Sequence, residues 1–485
     1  MVYDILEPAL LWKHFEEISA IPRESKNEEG IREHLVKAAR KRELPVKQDK
    51  VGNVLIEVPA TKGHEDAPIV ILQGHMDMVC EKNTDVEHDF ATQGIQGEVC
   101  GDWVKAKGTT LGADNGIGMA AALAMMDDKE IVHGPLELLF TVDEETGLTG
   151  AFHLEPGFVK GRILLNLDSE DEGELTIGCA GGGDTILHLP LNMQSPPSDH
   201  VGLKVSMRGL KGGHSGVDIH MEKGNAVKLL ARALNSAGDM WLADINGGNK
   251  HNAIPREAFA TIAVESSKKD QVKNGLVEAG KALRAEFKST DPELTIQVED
   301  MEIIGNAVDV AETRKVLGLI LALPHGVIAN SKDMPGVVET SNNVAVARFE
   351  NDELFMHLSS RSSVATALDG VREQIKATAE LVGATVEQPE GYPGWQPNVE
   401  SEILKVAKST YQDMFGVEPN VAAIHAGLEC GIIQERYPGM DSISFGPTIQ
   451  NPHSPDERVN VPTVEKFWKF LGGILREKAT TPSVM

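Results

Sequence analysis

The 485-residue sequence contains few cysteines, no long apolar segment and comparatively few basic residues. Its four cysteines are widely separated and form no Cys-x-x-Cys pair, which argues against a disulfide framework and against a structural zinc knuckle. No apolar run reaches about 18 residues, and Met1 does not open a basic and then apolar segment of the signal-peptide kind. We therefore expect a cytoplasmic protein with reduced thiols.

Positive charge is scarce, since 46 Lys and Arg residues stand against 73 Asp and Glu residues and the formal net charge is −27. Such a chain repels phosphate backbones and anionic lipid surfaces, and no basic cluster offsets this repulsion. Nucleic-acid and membrane partners are therefore not expected. The length exceeds what one ordinary hydrophobic core accommodates, so two or more domains are predicted.

The apolar run 69–72 is followed directly by Gln73, His75 and Asp77. An unbroken apolar run of this kind is typical of a strand that is buried on both faces. His75 and Asp77 are two residues apart, so on extended backbone their side chains point the same way. One could then bind a metal while the other orients it. An isolated pair of this kind is more often a hydrogen-bonded loop pair, so the prediction of a metal site depends on further ligands elsewhere in the sequence.

Carboxylates also follow two other predicted strands. The strand predicted over 136–142 is followed by Glu144 and Glu145, and the strand predicted over 163–167 by Asp168. In open α/β sheets, ligands bind beyond the carboxyl ends of the strands. Because neighbouring carboxylates repel one another unless a cation lies among them, the pattern predicts a metal site at this edge of the sheet.

Two predicted helix starts carry polar side chains for which helix capping is the simpler explanation. Asp114 precedes a small-residue helix predicted over 117–126, where an Asp most often serves as an N-cap. Ser25 and Glu28 have the spacing of a capping box before another helix. We interpret the second pair as scaffold, whereas Asp114 is also a candidate for the metal site.

The pattern changes near Gly178–Gly183 and again near Gly391. Between these points, strands and helices alternate in two similar rounds of βαβ type, which indicates a separate α+β domain with a loose internal duplication. The last part returns to an α/β pattern and carries His453 just after a predicted strand. A histidine in such a loop is usually structural, but here it would supply a further nitrogen ligand.

Taken together, these residues resemble the metal-binding set of the di-zinc peptidase family that includes aminoacylase, carboxypeptidase G and the carnosine dipeptidases. The set is His75, Asp77, Asp114, Glu144, Glu145, Asp168 and His453. The resemblance covers nearly the whole chain, and four motifs are similar to those of the bacterial aminoacyl-histidine dipeptidases in this family. They are Lys211-Gly-Gly-His214-Ser-Gly216, Asn252-Ala-Ile-Pro255, Tyr392-Pro-Gly-Trp-Gln-Pro397 and His425-Ala-Gly-Leu-Glu-Cys-Gly431.

The resemblance implies an α/β fold, with a three-layer catalytic domain that has a mixed sheet and is interrupted by an inserted α+β lid domain. The catalytic domain would occupy 1–186 and 397–485, and the lid, in two α+β halves, would occupy 187–396. A homodimer, a small peptide substrate and two Zn²⁺ per subunit are also implied, and Co²⁺ or Mn²⁺ could replace the zinc.

Residue roles follow from the same resemblance. The metal ligands would be His75, Asp114, Glu145, Asp168 and His453, with Asp114 bridging both ions. Asp77 would steady His75, and Glu144 would be the general base. His214 would donate to the oxyanion, either when the lid closes or from a neighbouring subunit. The substrate-binding residues would be Asn252, Arg361 and Gly427. Arg361 would clamp the terminal carboxylate of the substrate, although an exposed salt bridge explains an arginine there equally well.

The expected activity is hydrolysis of Xaa-His dipeptides, including β-Ala-His, and of other unblocked dipeptides through a metal-activated water. Alternatives on the same scaffold are a tripeptidase, an N-acyl amino acid deacylase and a non-catalytic metal-binding homologue. The last would be marked by loss of Glu144 or of a ligand, and none is lost. Gly181–Gly183 lacks the context of a P-loop or a dinucleotide-binding loop, and no His-Glu-x-x-His motif is present, so those enzyme classes are disfavoured.

Overall fold

The computed structural model describes residues 2–302 and 305–480. In chain order, the strands are β1 (Val46–Gln48), β2 (Val54–Val58), β3 (Val70–His75), β4 (Gly97–Cys100), β5 (Trp103–Ala106), β6 (Leu136–Thr141), β7 (Ile163–Asn166), β8 (Glu174–Cys179), β9 (Gly181–Pro190), β10 (His200–Arg208), β11 (Gly213–His214), β12 (Trp241–Gly247), β13 (Ala253–Ile254), β14 (Ala258–Glu265), β15 (Thr295–Met301), β16 (Gly326–Asn330), β17 (Val338–Glu350), β18 (Glu353–Ser362), β19 (Thr385–Glu387), β20 (Asn420–Ile424), β21 (Asp441–Ser444), β22 (Ile449–Gln450) and β23 (Arg458–Asn460). The α-helices are α1 (Ala9–Ser19), α2 (Glu29–Lys41), α3 (Ala113–Ala124), α4 (Glu144–Gly147), α5 (Thr149–Phe152), α6 (Ala226–Ser236), α7 (Lys269–Glu286), α8 (Val310–Ala322), α9 (Ala365–Leu381), α10 (Glu402–Phe415), α11 (Glu429–Arg436) and α12 (Val461–Thr480).

The chain forms two compact units. The first runs to Gly178 and continues over Pro397–Ala423 and from Leu428 onward. Its main sheet has eight strands in the order β1-β2-β6-β3-β7-β21-β8-β20. Strands β6, β3, β7 and β21 pair in parallel, whereas β1 and β2 run antiparallel to the neighbours they pair with and β8 runs antiparallel to β21. The mixed sheet confirms the predicted α/β fold and brings the carboxyl ends of the parallel strands to one edge.

The central strands are as buried as their sequences predict. Every residue of β3 and of β6 is buried, in agreement with their apolar runs. Helix α3 packs on β3 and on α1, α2 packs on β1 and β2, and α10 packs on β21 and α12. A smaller antiparallel sheet has the order β22-β23-β5-β4. None of the helices within the described residues is long and apolar enough to cross a membrane.

The second unit comprises Cys179–Gln396 together with Ile424–Gly427. Its sheet has the order β15-β10-β14-β12-β17-β18-β9-β19, with β16 paired to β17. Within the described residues, the strand pairs of this sheet are antiparallel. The prediction of βαβ units, whose strands would be parallel neighbours, was therefore wrong for this unit. Helices α6, α7 and α9 pack against the sheet and share its hydrophobic core.

Candidate functional site

The parallel strands of the first unit deliver polar side chains to one edge of the sheet. His75 is the last residue of β3, Glu144 and Glu145 open the short helix that follows β6, and Asp168 comes two residues after β7. Because β3 pairs in parallel with both β6 and β7, these side chains converge from three adjacent strand ends.

Asp114 lies between two imidazoles. Its Oδ1 is 2.9 Å from His75 Nε2, and its Oδ2 is 3.1 Å from His453 Nε2. The same His75 nitrogen is 3.4 Å from Asp168 Oδ1, and the same His453 nitrogen is 3.1 Å from Glu145 Oε2. The five side chains thus form two imidazole–carboxylate sets that share Asp114.

This cluster concentrates negative charge in a buried place. Within the described residues, Glu145 Oε1 and Asp168 Oδ1 are buried without a hydrogen bond. Burial raises the pKa of Asp168 to about 6, although His75 opposes the rise. Hydrogen bonds that His453 donates to the Asp114 and Glu145 carboxylates raise the pKa of His453 to about 11. Buried acids are stabilised by metals, and the ligand atoms of His75, Asp114 and Glu145 all lie within 4.8 Å of one another, so these residues can hold a cation.

Asp77 connects the imidazole to the paired glutamates. Its Oδ1 lies 3.3 Å from His75 Nδ1, and its carboxylate accepts backbone hydrogen bonds from Glu144 at 3.0 Å and Glu145 at 3.2 Å. Ser25 Oγ donates to Asp77 at 2.7 Å. The capping-box prediction for Ser25 was therefore wrong: α2 begins at Glu29 without a side-chain cap, and the Ser25 hydroxyl serves Asp77 instead.

The N-cap interpretation of Asp114 was also wrong. Helix α3 is capped by Gly112, whose φ of 71° is in the left-handed region, and Asp114 lies inside the helix with a non-helical ψ of 113°. The carboxylate of Glu457 accepts hydrogen bonds from the backbone N–H groups of Leu111 at 2.7 Å, Gly112 at 2.9 Å and Ala113 at 2.7 Å. The turn therefore presents the Asp114 side chain to both histidines rather than to its own helix.

Three buried residues that support the site were not assigned from the sequence. Arg23 donates to the carbonyls of Met76 and Asp77 at 3.2 and 2.7 Å, and also to the carbonyl of Gly112. Glu457 lies in the same loop as His453, shortly after it in the sequence, and this proximity was the one signal that could have revealed it. Glu429 Oε2 accepts from Gln73 Nε2 at 2.6 Å, behind the strand end that carries His75.

Glu144 is a partly buried carboxyl with a raised pKa. Burial raises its pKa well above the usual range, His75 opposes this rise, and Asp168 and Glu429 add to it. A carboxylate with a raised pKa next to a metal-binding cluster is suited to general-base work near neutral pH.

His214 belongs to the second unit, where β11 pairs with β13. Its Nδ1 accepts backbone hydrogen bonds from Gly216 at 3.2 Å and Val217 at 3.0 Å, which leaves the proton of the neutral ring on Nε2. Burial lowers the pKa of His214, and Arg361 lowers it further. The side chain is therefore a neutral donor through Nε2.

Arg361, on β18, is only 7% exposed and donates through Nη1 to the Tyr392 hydroxyl at 2.8 Å. Within the described residues it has no carboxylate partner, and its Nε is buried without a hydrogen bond. The exposed salt bridge considered from the sequence is therefore wrong. A buried guanidinium without a counter-ion can accept an anionic group as its partner.

The two other predicted substrate-binding residues also lie in the second unit. Asn252 is exposed in the turn before β13, and its carbonyl accepts a hydrogen bond from Ser215 at 2.9 Å. A Cβ added at Gly427 would lie 3.0 Å from the Tyr392 ring. Gly427 thus leaves room for the tyrosine that contacts Arg361.

Residues 71–477 match the model of peptidase family M20/M25/M40. The chain belongs to this family. Membership makes this M20 peptidase a metal-dependent peptide hydrolase, as its strand-end cluster suggests. It is 44% identical to the cytosol non-specific dipeptidase of Escherichia coli strain K12 over 475 residues. This aligned region covers 97% of this chain and 98% of the relative.

Solved structures agree with the family assignment. The aminoacylhistidine dipeptidase of Vibrio alginolyticus superposes with a TM-score of 0.91 at 43% identity, covering 98% of this chain and 97% of that one. The aminopeptidase PepT of Bacillus cereus superposes with a TM-score of 0.56 at 17% identity, covering 98% of this chain and 100% of that one. This similarity shows a shared fold only.

Proposed function

We propose that this M20 peptidase is a cytosolic di-zinc dipeptidase that hydrolyses Xaa-His dipeptides, including β-Ala-His, and other unblocked dipeptides. The position of Asp114 between two imidazole–carboxylate sets is the observation that carries the proposal. The two relatives with more than 40% identity are a cytosol non-specific dipeptidase and an aminoacylhistidine dipeptidase, and they support the substrate class and the compartment.

The residues present fit two ions. His75 and Asp168 would hold one, Glu145 and His453 the other, and Asp114 both, so that each ion has one imidazole and carboxylate oxygens, as catalytic zinc prefers. When bound, the pair would supply Lewis acidity and a water of lowered pKa. Co²⁺ or Mn²⁺ would be accepted by the same ligand types.

The remaining steps belong to the side chains. Glu144 would take the proton of the attacking water and pass it to the leaving amine, while Asp77 keeps His75 in position. The Nε2–H of His214 would stabilise the oxyanion. Arg361 would bind the terminal carboxylate of the peptide, with Asn252 and Gly427 contributing to the substrate site. We also propose that the protein is a homodimer.

Kinetics on a dipeptide and on its C-terminal amide test the proposal. Arg361→Ala should chiefly raise KM and reduce the preference for the free carboxylate, because the buried cation would no longer bind it. His214→Ala should chiefly lower kcat, by about 10²-fold or more, because its contact strengthens in the transition state. Neither change should alter the zinc content.

Arg348→Ala is the matched control, because Arg348 pairs with Glu350 at 2.8 Å and has no free guanidinium to offer. It should leave the kinetics unchanged. An Arg361→Ala enzyme that still distinguishes the dipeptide from its amide as the wild type does would contradict the clamp. A purified enzyme that cleaves acylated amino acids or tripeptides but no dipeptide would overturn the proposed substrate class.

A further inference from the structure

The second unit contains a group of potential metal ligands. This group shares no residue with the cluster around Asp114, which belongs to the first unit. Asp184 lies on β9, His357 on β18, and His251 in the turn before β13. One ligand atom from each lies within 4.8 Å of the other two. We infer that Asp184, His251 and His357 form an additional binding site for a divalent transition-metal ion.

The distances fit a shared ion. His357 Nε2 is 3.0 Å from Asp184 Oδ2, and His251 Nδ1 is 3.5 Å from the same oxygen. Ligands bound tetrahedrally to zinc at its usual bond lengths are about 3.3 Å apart, which lies between these two values. The imidazoles are stacked, with centroids 5.7 Å apart and planes 23° apart, so both can turn a ring nitrogen toward Asp184.

A simple hydrogen-bonded group explains these contacts less well. His357 Nε2 is buried and, within the described residues, makes no hydrogen bond of acceptable geometry despite its distance to Asp184. A donor atom that lies close to a carboxylate without being directed at it is expected when both atoms point at a common third atom.

The framework and the ligand types indicate the class of ion. Strands β9 and β18 are paired, with Ser359 opposite Asp184, so His357 lies one side-chain repeat from Asp184 on the neighbouring strand. Arg372 donates to the Asp184 carbonyl at 3.1 Å and helps to fix the position of that residue. Two imidazoles with one carboxylate suit Zn²⁺, Ni²⁺ or Cu²⁺ and do not suit Ca²⁺ or Mg²⁺. His251 is 56% exposed, which leaves a coordination position open to solvent.

An ion here would connect the turn before β13 to the main sheet of the second unit. His251 directly precedes Asn252, whose carbonyl is bonded to Ser215, and His214 pairs with Ala253 across β11 and β13. Binding would therefore restrain the β11–β13 strand pair that carries His214. The inference concerns this unit alone and does not depend on the proposed function.

Equilibrium dialysis of the full-length protein against rising concentrations of Zn²⁺, followed by elemental analysis, tests the inference. Wild-type protein should bind one equivalent more than His251→Ala and one more than His357→Gln. His251 lies in an exposed turn, so its replacement does not put folding at risk. The readout is a difference in bound zinc and remains valid if the strand-end cluster binds a different number of ions than proposed.

His188→Gln is the matched control. His188 also lies on β9, and its Nδ1 contacts Glu353 of β18 at 3.0 Å, but no second imidazole is part of that pair. It should bind as much zinc as the wild type. Equal zinc binding by the wild type, His251→Ala and His357→Gln would overturn the inference, as would an equal loss in His188→Gln.

Discussion

Asp77 determines which atom of His75 is available for coordination. Burial raises the pKa of Asp77, but contacts from His75 and Ser25 outweigh this and lower it to about 2, so the carboxylate remains ionised. It lies 3.3 Å from His75 Nδ1 and therefore favours a proton on that nitrogen, so that Nε2, which faces Asp114 and Asp168, would be the atom that binds a metal. A single carboxylate thus fixes both the tautomer and the direction of the imidazole.

Substitution of the adjacent glutamates Glu144 and Glu145 should have different effects on turnover and on metal binding. Glu144→Gln should retain both metals and lose at least about 10²-fold in kcat, because only proton transfer is removed. Glu145→Gln should weaken one of the two metal sites, because Glu145 Oε2 faces His453. Metal content measured beside kcat distinguishes the two effects.

The two variants are controls for each other, since they remove the same charge one residue apart. The assignment is reversed if Glu144→Gln loses metal while Glu145→Gln retains both ions. Equal metal loss in both variants would show that the pair acts as one ligand set.

Ser25 illustrates what sequence reasoning cannot resolve at this scale. The spacing of Ser25 and Glu28 satisfies the capping pattern, yet Asp77, more than fifty residues later, competes for the same hydroxyl and accepts its hydrogen bond. Glu28 is likewise used elsewhere, because its Oε1 accepts from the backbone of Asp143 at 3.0 Å. Local patterns cannot reveal a distant partner that is brought near only by the fold.

Among the elements, the start of α3 depends on a residue far along the chain. Glu457 binds the backbone around Gly112 and thereby positions Asp114. Glu457→Gln should lower the affinity for metal by about 10–100-fold, because an amide NH₂ would face backbone donors that need an acceptor. Zinc titration against a competing chelator measures this, with Glu465→Gln on the exposed surface of α12 as the control. Unchanged affinity in Glu457→Gln would show that the turn holds its shape unaided.

Strands with continuous apolar runs were predicted well, and short strands without such a run were missed. The strand predicted over 136–142 is Leu136–Thr141, and the one predicted over 163–167 is Ile163–Asn166. Strands β4, β5, β22 and β23 have two to four residues each, too few for an alternation to be detected. The order of strands in the second unit was also beyond reach, because pairings between distant segments leave no local signal.

The candidate ligands come from segments as far apart as His75 and His453, yet the sequence allowed them to be predicted as parts of one site. This was possible because strand ends in an α/β sheet share an edge and because the order of the residues resembled a known family. Distances and the support from Arg23 and Glu457 required the folded chain.

Removal of the metal should abolish activity while the protein stays folded. Strands β3 and β6 are wholly buried and belong to a sheet whose core does not depend on the ligands, so the ligand frame is preformed. The melting temperature should nevertheless fall, both because bound metal stabilises the folded state by mass action and because the acids around Asp114 would repel one another without it. Far-UV circular dichroism, thermal melts and activity should be measured after chelation and again after zinc is restored. Full activity in protein shown by elemental analysis to be free of metal would contradict the proposed mechanism, and loss of the circular dichroism signal would contradict the preformed frame.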